Sequence, residues 1–269
     1  MLYLIGTPIG NMGDVTLRAL QTLKEVDVVA CEDTRHTGLL LQKLDIRKPL
    51  VSYYKHKEQE GTQEILALLR EGKNVALVSD AGMPVISDPG GILVQAARRE
   101  GLPISVIPGP TAVTSALALA GVTGGFVFIG FLSDKAKERD MQVVQYITSP
   151  DPLVFYVASH DVDSTFAYLY AKLGDRSVYV VKELTKLHEN VIQTRLSCPV
   201  DFDTHGEFVF IVEGNTEKES VTLTAEEHVR RYMQMGLSKK DAVKTVAKER
   251  GVPRDEVYKA ALNIDDETL

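Results

Sequence analysis

The residues best equipped for chemistry fall in four polar stretches. The longest runs from Leu77 to Gly91. There Asp80 and Asp88 sit with Ser79 and Ser87 among Gly82, Gly90 and Gly91, and Pro84 and Pro89 fix the backbone beside each half. Carboxylates and hydroxyls in so constrained a loop suit the holding of a small ligand better than the packing of a core. Glu32-Asp33-Thr34-Arg35-His36-Thr37 adds two carboxylates, a guanidinium and an imidazole. Gly6-Thr7-Pro8-Ile9-Gly10-Asn11 and Pro108-Gly109-Pro110-Thr111-Ala112 supply backbone and hydroxyl groups. Glu32, Asp33, His36 and, further along, Lys186 are candidate proton acceptors. Lys186 would have to be deprotonated, which burial or a cationic neighbour favours. Asp33 with Arg35 reads equally as an ion pair that orders its loop, and His36 as a structural histidine. Familiar alternatives are excluded. The first loop lacks the Gly-Lys-Ser/Thr ending of a phosphate loop, and Pro8 stands where a dinucleotide turn needs free N–H groups. No Ser or Cys sits in a nucleophile elbow. No His, Cys, Asp and Glu set has ligand spacing, so no metal is expected.

These stretches must be positioned by what precedes them. Leu2 to Ile5, Val26 to Ala30, Asn74 to Val78 and Ile104 to Ile107 are short apolar runs rich in Val, Ile and Leu. Such runs, alternating with helical patterns, indicate a parallel sheet buried on both faces. Helices are expected from Asp14 through Leu17, Leu20, Leu23 and Val26, through Leu39, Leu40, Leu41 and Leu44, from Gln63 to Glu71, and through Ile92 to Ala97. Every polar stretch follows a strand, whereas the opposite strand ends are plain helix stops. A ligand cleft therefore belongs on that one edge. From Phe126 to Leu132 the texture changes to a charged helix at 135–147, one further helix at 164–173, and strands at 153–156, 178–182, 190–196 and 207–213, as in a second α/β domain with a more antiparallel sheet, joined near residues 120–132. The tail reads as three helices, with Thr224 and Glu227 able to form a capping box. The expected divisions are 1–120, 121–216 and 217–269.

The whole is acidic, with net charge −7, which argues against indiscriminate nucleic-acid binding. The tail is the exception. Between Arg230 and Arg250 seven Lys or Arg face only Asp241 and Glu249, a local charge of about +5, as in a basic helix-turn-helix module. Cys31 and Cys198 offer no disulfide framework. No run approaches the length of a membrane span, and Met1 to Gly6 reads as a strand and not a signal peptide. A reducing cytoplasm is the expected location.

Gly6-Thr7-Pro8-Ile9-Gly10-Asn11, Glu32 to Thr37, Val78 to Pro84 with Ser87-Asp88-Pro89-Gly90, and Pro108-Gly109-Pro110 occur in this order and spacing in one family, and Glu183-Leu184-Thr185-Lys186 extends the likeness. Together they closely resemble the ribosomal RNA small-subunit methyltransferase I family of the tetrapyrrole-methylase fold group. The resemblance implies a two-domain α/β fold, with a parallel-sheet first domain, a mixed-sheet second domain and a small helical module. It implies transfer of a methyl group from S-adenosylmethionine to the ribose 2′-hydroxyl of a decoding-centre cytidine in 16S RNA of the small ribosomal subunit, usually by a homodimer. Carried over by motif, Pro8, Ile9, Ser79, Asp80, Gly82, Met83, Thr111 and Ala112 would line the cofactor site, with Tyr156 and Leu184 from the second domain. Asp88 would order the loop or face the substrate. Arg35, Lys55, Lys57, Lys135, Lys137, Arg139, Lys239 and Lys240 would meet RNA phosphates, and Tyr53 and Tyr54 would stack on a base or lie half-buried.

The chain departs from the family pattern in its second domain. Val157-Ala158-Ser159-His160-Asp161 lacks a carboxylate and an arginine, Ser133 replaces a proline, and Lys182 replaces an arginine. Two rival readings follow: a methylase of a small tetrapyrrole, and an RNA-binding assembly factor that keeps the cofactor without turnover.

Overall fold

A computed structural model of the chain describes residues 1–199, 205–215, 224–262 and 264. The chain forms two compact units. The first comprises Met1–Gly124, Val180–Ile192 and Gly206–Val209; the second comprises Gly125–Tyr179, Gln193–His205 and Phe210–Leu269. The expected boundary at 216–217 lies outside the described residues.

The first unit alternates strand and helix: β1 (Leu2–Ile5), α1 (Leu17–Glu25), β2 (Val28–Cys31), α2 (Thr34–Lys43), β3 (Leu50–Ser52), α3 (Glu58–Arg70), β4 (Val75–Leu77), α4 (Gly91–Arg99), β5 (Ile104–Ile107) and α5 (Ala112–Leu119). The strands form a parallel sheet in the order β3-β2-β4-β1-β5. Alternation along the strands feeds two cores. Leu2, Ala30 and Leu77 pack with Ile65, Leu66 and Leu93 on one face, and Ile5, Val29 and Cys31 pack with Ala19, Leu23 and Leu41 on the other. Hence α1, which follows β1, covers one face, and α4, which follows β4, covers the opposite face. Because β1 and β4 are neighbours, their chains diverge at the carboxyl edge and leave the crevice where open α/β sheets bind ligands.

The expected helices form, with differences in which apolar positions they bury and where one of them starts. Leu17, one of the apolar positions at helical spacing, is 86% exposed at the first position of α1, which buries Ala19, Thr22 and Leu23. Leu39 is 59% exposed on α2. Helix α3 also starts five residues earlier than its apolar periodicity indicates, because the polar first turn carries Glu58.

The second unit holds β6 (Val127–Phe131), α6 (Ala136–Val144), β7 (Leu153–Ala158) and α7 (Val162–Leu173). With β8 (Ser177–Lys182), β9 (Asn190–Arg195) and β10 (Glu207–Val212) its strands form a sheet in the order β6-β7-β10-β8-β9. β6 and β7 are parallel. β8 and β10 run antiparallel, since Glu183 donates to the Glu207 carbonyl and Glu213 to the Ser177 carbonyl, each at 2.9 Å. The sheet is thus mixed, as expected.

Helices α8 (Ala225–Gln234), α9 (Lys239–Arg250) and α10 (Arg254–Ala260) enclose their own core of Val229, Tyr232, Val243, Val246, Val257 and Ile264. Thr224 and Glu227 form the anticipated capping box. Ser238 caps α9, and Gly251 ends it in the left-handed conformation at φ 64°. No described helix is long and apolar enough to cross a membrane.

Candidate active site

The crevice between β1 and β4 is closed by hydrogen bonds between the loops that leave them. Thr7 and Gly82 exchange backbone bonds at 2.9 and 3.2 Å, and Gly6 donates to the Ile107 carbonyl at 3.1 Å. Buried Thr7 Oγ1 donates to the Ser79 carbonyl at 3.1 Å, and Ser79 Oγ to the Gly82 carbonyl at 3.2 Å. The loop from Ser79 to Gly90 holds Val85 at φ 78° and Ser87 at φ 68°. For a β-branched residue that costs about 1–3 kcal/mol, so surrounding contacts must impose it. One of them is visible: Glu58 Oε1 accepts the Gly90 N–H at 2.8 Å. The same carboxylate meets the hydroxyl of Tyr53, which also bonds Thr62. Tyr53 is 1% exposed and its hydroxyl is pushed up to about 12, mainly by burial, so it is core and cannot stack on a base.

Three carboxylates gather behind this loop. Burial raises Asp88 to about 6. Its hydrogen bond with Ser79 opposes the rise, and the negative charges of Glu32 and Asp80 add to it. Glu32 is raised by burial and then by Asp80, with Lys55 pulling the other way. Asp80 Oδ1 is buried and has no hydrogen-bond partner. Asp33 faces a different task. It caps α2, accepting the N–H groups of Arg35 at 2.8 Å and His36 at 3.4 Å, and it pairs with the Arg35 guanidinium at 3.2 Å. Arg35 holds its carboxyl below the usual range. The ion-pair reading of Asp33 and Arg35 is therefore the one the structure realises.

A cavity of about 320 Å³ opens beside Asp80, lined by Pro8, Ile9 and Gly10 from the first loop, His36 from α2, and Lys186. It unites five candidates from distant parts of the sequence. Lys186, however, is ion-paired with Glu183 at 2.8 Å and Glu207 at 2.9 Å. Burial works to lower its pKa, but the two carboxylates outweigh burial and hold it above the ordinary lysine value. Lys186 thus stands here as the shared cation of two carboxylates. A Cβ on Gly10 would lie 2.7 Å from Lys186 Cγ and 2.9 Å from the Leu184 carbonyl, so only glycine lets the first loop touch the 184–186 corner.

The other candidates scatter. Thr111 caps α5, its hydroxyl engaged by Thr114, and Ala112 begins that helix. Met83 Sδ would be 2.7 Å from a Cβ on Gly6. Tyr156 lies on β7, its ring 5.0 Å from Phe128 and 5.3 Å from Phe131. Lys135 pairs with Glu138 at 2.8 Å, and Lys57 reaches Glu60 at 3.9 Å. Lys239 donates to the carbonyls of Leu262 and Ile264, an internal tie and not a free phosphate contact, while Lys240 is exposed. Sequence reasoning missed Glu183 and Glu207 as the partners of Lys186. It also missed Lys43, which shares the cavity wall with His36; their seven-residue spacing on one helix was the available signal.

The family model for tetrapyrrole (corrin/porphyrin) methylases matches residues 1–198. A ribosomal RNA small subunit methyltransferase I of Halalkalibacterium halodurans is 42% identical over 96% of this chain and 93% of its own length. The protein of that name from Bacillus subtilis is 40% identical over 97% of this chain and 93% of its own length. Among solved structures, a uroporphyrin-III C-methyltransferase of Thermus thermophilus in complex with S-adenosylhomocysteine superposes with a TM-score of 0.54 at 22% identity, covering 79% of this chain and 96% of that one. That likeness establishes the fold. Given the matched family model and relatives of this identity along nearly the whole length, the chain belongs to the tetrapyrrole methylase family and, within it, to the ribosomal RNA small subunit methyltransferase I group.

Proposed function

We propose that this protein methylates the ribose 2′-hydroxyl of a cytidine at the decoding centre of small-subunit ribosomal RNA, using S-adenosylmethionine. The relatives carry the reaction class in their name. The observation on this chain that carries the reading is the glycine-lined crevice beside Asp80. Its Oδ1 is buried without a partner, and Cβ atoms on Gly6 or Gly109 would fill the gap between their loops. An unpaired buried carboxylate oxygen is costly unless something binds it. The cofactor's ammonium or ribose hydroxyls meet that need, with Pro8, Ile9, Ser79, Gly82 and Met83 around them.

When bound, the cofactor supplies an electrophilic methyl on a sulfonium whose charge vanishes on transfer. The protein's task is then to align a hydroxyl and take its proton. Alignment is worth about 7–11 kcal/mol when geometry is good, and a positioned base a further 10²–10⁴-fold. Of the candidates, Asp33 is spent on its cap and on Arg35, and Lys186 is held protonated. We assign the proton acceptor to His36, whose side chain lines the cavity and, among the described residues, makes no hydrogen bond or ion pair. Residues 1–120 then hold the cofactor and 121–216 complete the enzyme. Residues 217–269 bind RNA through Lys240, Lys244 and Lys248, exposed at four-residue steps along α9. A cytoplasmic homodimer completes the reading.

The test is incubation of the protein and methyl-labelled cofactor with small subunits from cells lacking the gene. Label on a 2′-oxygen, seen as resistance of the following phosphodiester to alkali, is the expected result. Cofactor binding without transfer would favour the assembly factor, and transfer only to a tetrapyrrole would favour the small-molecule methylase.

A further inference from the structure

The cavity beside Asp80 has a second wall that the reaction so far leaves without a task. Helix α2 supplies His36, Leu39, Leu40 and Lys43, at positions i, i+3, i+4 and i+7, to that wall. This spacing places all four on one helical face. Leu39 is 59% exposed although the chain has core in which to bury a leucine. Lys43 is exposed and, among the described residues, makes no ion pair or hydrogen bond. Opposite them stand Ile9 and Met12 of the first loop. The cavity therefore combines an apolar slot, one unengaged cation, and an imidazole about 10 Å from that cation along the helix axis, given 1.5 Å per residue.

We infer that the α2 side of this cavity receives the acceptor nucleotide, with its base between Leu39 and Met12 and an adjoining phosphate on Lys43, and that the Asp80 side is left to the cofactor. The inference rests on the RNA-methylation reading above and names the part of the site that would select the nucleotide. Charge complementarity favours a nucleotide over the cofactor. The cofactor's sulfonium and ammonium outweigh its single carboxylate and leave it a net cation, whereas RNA brings a phosphate with every nucleotide, so an exposed lysine suits RNA better. Charge also opposes a tetrapyrrole, whose several carboxylates would meet only Lys43 and the already paired Lys186.

The experiment compares the wild-type protein with K43A, K43R and L39D by three readouts: methyl transfer to small subunits, cofactor affinity by calorimetry, and binding of a short single-stranded RNA containing cytidine. K43A is expected to raise the KM for RNA about tenfold and to flatten the salt dependence of RNA binding by about one unit of slope, with cofactor affinity unchanged. K43R restores RNA binding, and L39D weakens it with the fold intact by circular dichroism. Unchanged RNA binding in both K43A and L39D overturns the inference, as does a tenfold loss of cofactor affinity in K43A with RNA binding preserved. If the wild type transfers no methyl to any RNA yet the oligonucleotide binds it and not K43A, the nucleotide site stands and the proposed reaction falls.

Discussion

Gly6 and Gly109 meet backbone to backbone. A Cβ on Gly6 would lie 2.7 Å from Gly109 Cα, and one on Gly109 would lie 2.9 Å from Gly6 Cα. Both contacts are with main chain, which cannot swing aside as a side chain can, so even a methyl group must push the two loops apart. Gly109→Ala is expected to cost about 1–3 kcal/mol through overpacking and to weaken S-adenosylmethionine binding at least tenfold. Thermal unfolding and calorimetry measure the two effects. Wild-type affinity in this variant would show that the cofactor does not use this edge.

Asp88 makes stability depend on pH in an unusual direction. Its folded pKa of about 6 lies above the ordinary 3.8, so the folded state binds the proton more tightly than the unfolded chain. Its contribution is therefore fully present below about pH 4 and is lost as pH rises through about 6. Asp88→Asn should remove that dependence and raise stability at pH 7.5 by about 1 kcal/mol. The figure is well under the fully buried value because water still screens the half-buried carboxyl. Urea unfolding at pH 4, 6 and 7.5 decides it. An equal change at all three values would refute the assignment.

Lys186 should behave as a structural cation. Replacing a general base costs about 10²–10⁴-fold, whereas Lys186→Arg keeps the charge between Glu183 and Glu207 and should lower the methylation rate less than tenfold. Lys186→Met leaves two carboxylates facing each other at the Glu183–Glu207 corner and should unfold more easily than Lys186→Arg. A hundredfold fall in rate for the arginine variant, with normal melting, would return Lys186 to the chemistry.

Glu249 ties the helical module together and to its own unit. It accepts hydrogen bonds from Tyr232 and Thr148, each at 2.6 Å, and faces His228 at 3.3 Å. Burial pushes its pKa up, but the bonds from His228, Thr148 and Tyr232 outweigh burial and hold it below the usual value. This contribution is present above the unfolded glutamate pKa of 4.5 and fades as pH falls through the lower folded value. Glu249→Ala should cost about 1–3 kcal/mol by removing the acceptor that Tyr232 and Thr148 share. Faster hydrogen exchange at Val243 and Val246, with unchanged exchange in β1 and β4, is the expected pattern.

The basic face of α9 should act on RNA alone. Reversing Lys240, Lys244 and Lys248 to Glu should abolish RNA methylation and leave cofactor affinity nearly unchanged, because the module has its own core in Val229 to Ile264. A collapse of cofactor affinity would instead make the module a structural part of the cofactor site.

By itself the sequence determined the elements and the working edge. Continuous apolar runs for the strands, the Thr224–Glu227 capping box, and polar loops after four of the strands are local patterns whose physics is complete within a few residues. The resemblance to the methyltransferase family was legible for the same reason, since loop motifs are contiguous. Tertiary structure alone decided how the candidates divide their work. Lys186 looked free in the sequence until Glu207, twenty-one residues away, met it through a turn of the sheet. Tyr53 became core because Glu58 and Thr62 satisfy its hydroxyl. Leu39, one of the apolar residues through which that helix was expected, came out on the cavity wall with Lys43, where the loop from Pro8 to Met12 gives that face of α2 something to line. Charge pairing and burial act through space, and no window along the chain contains them.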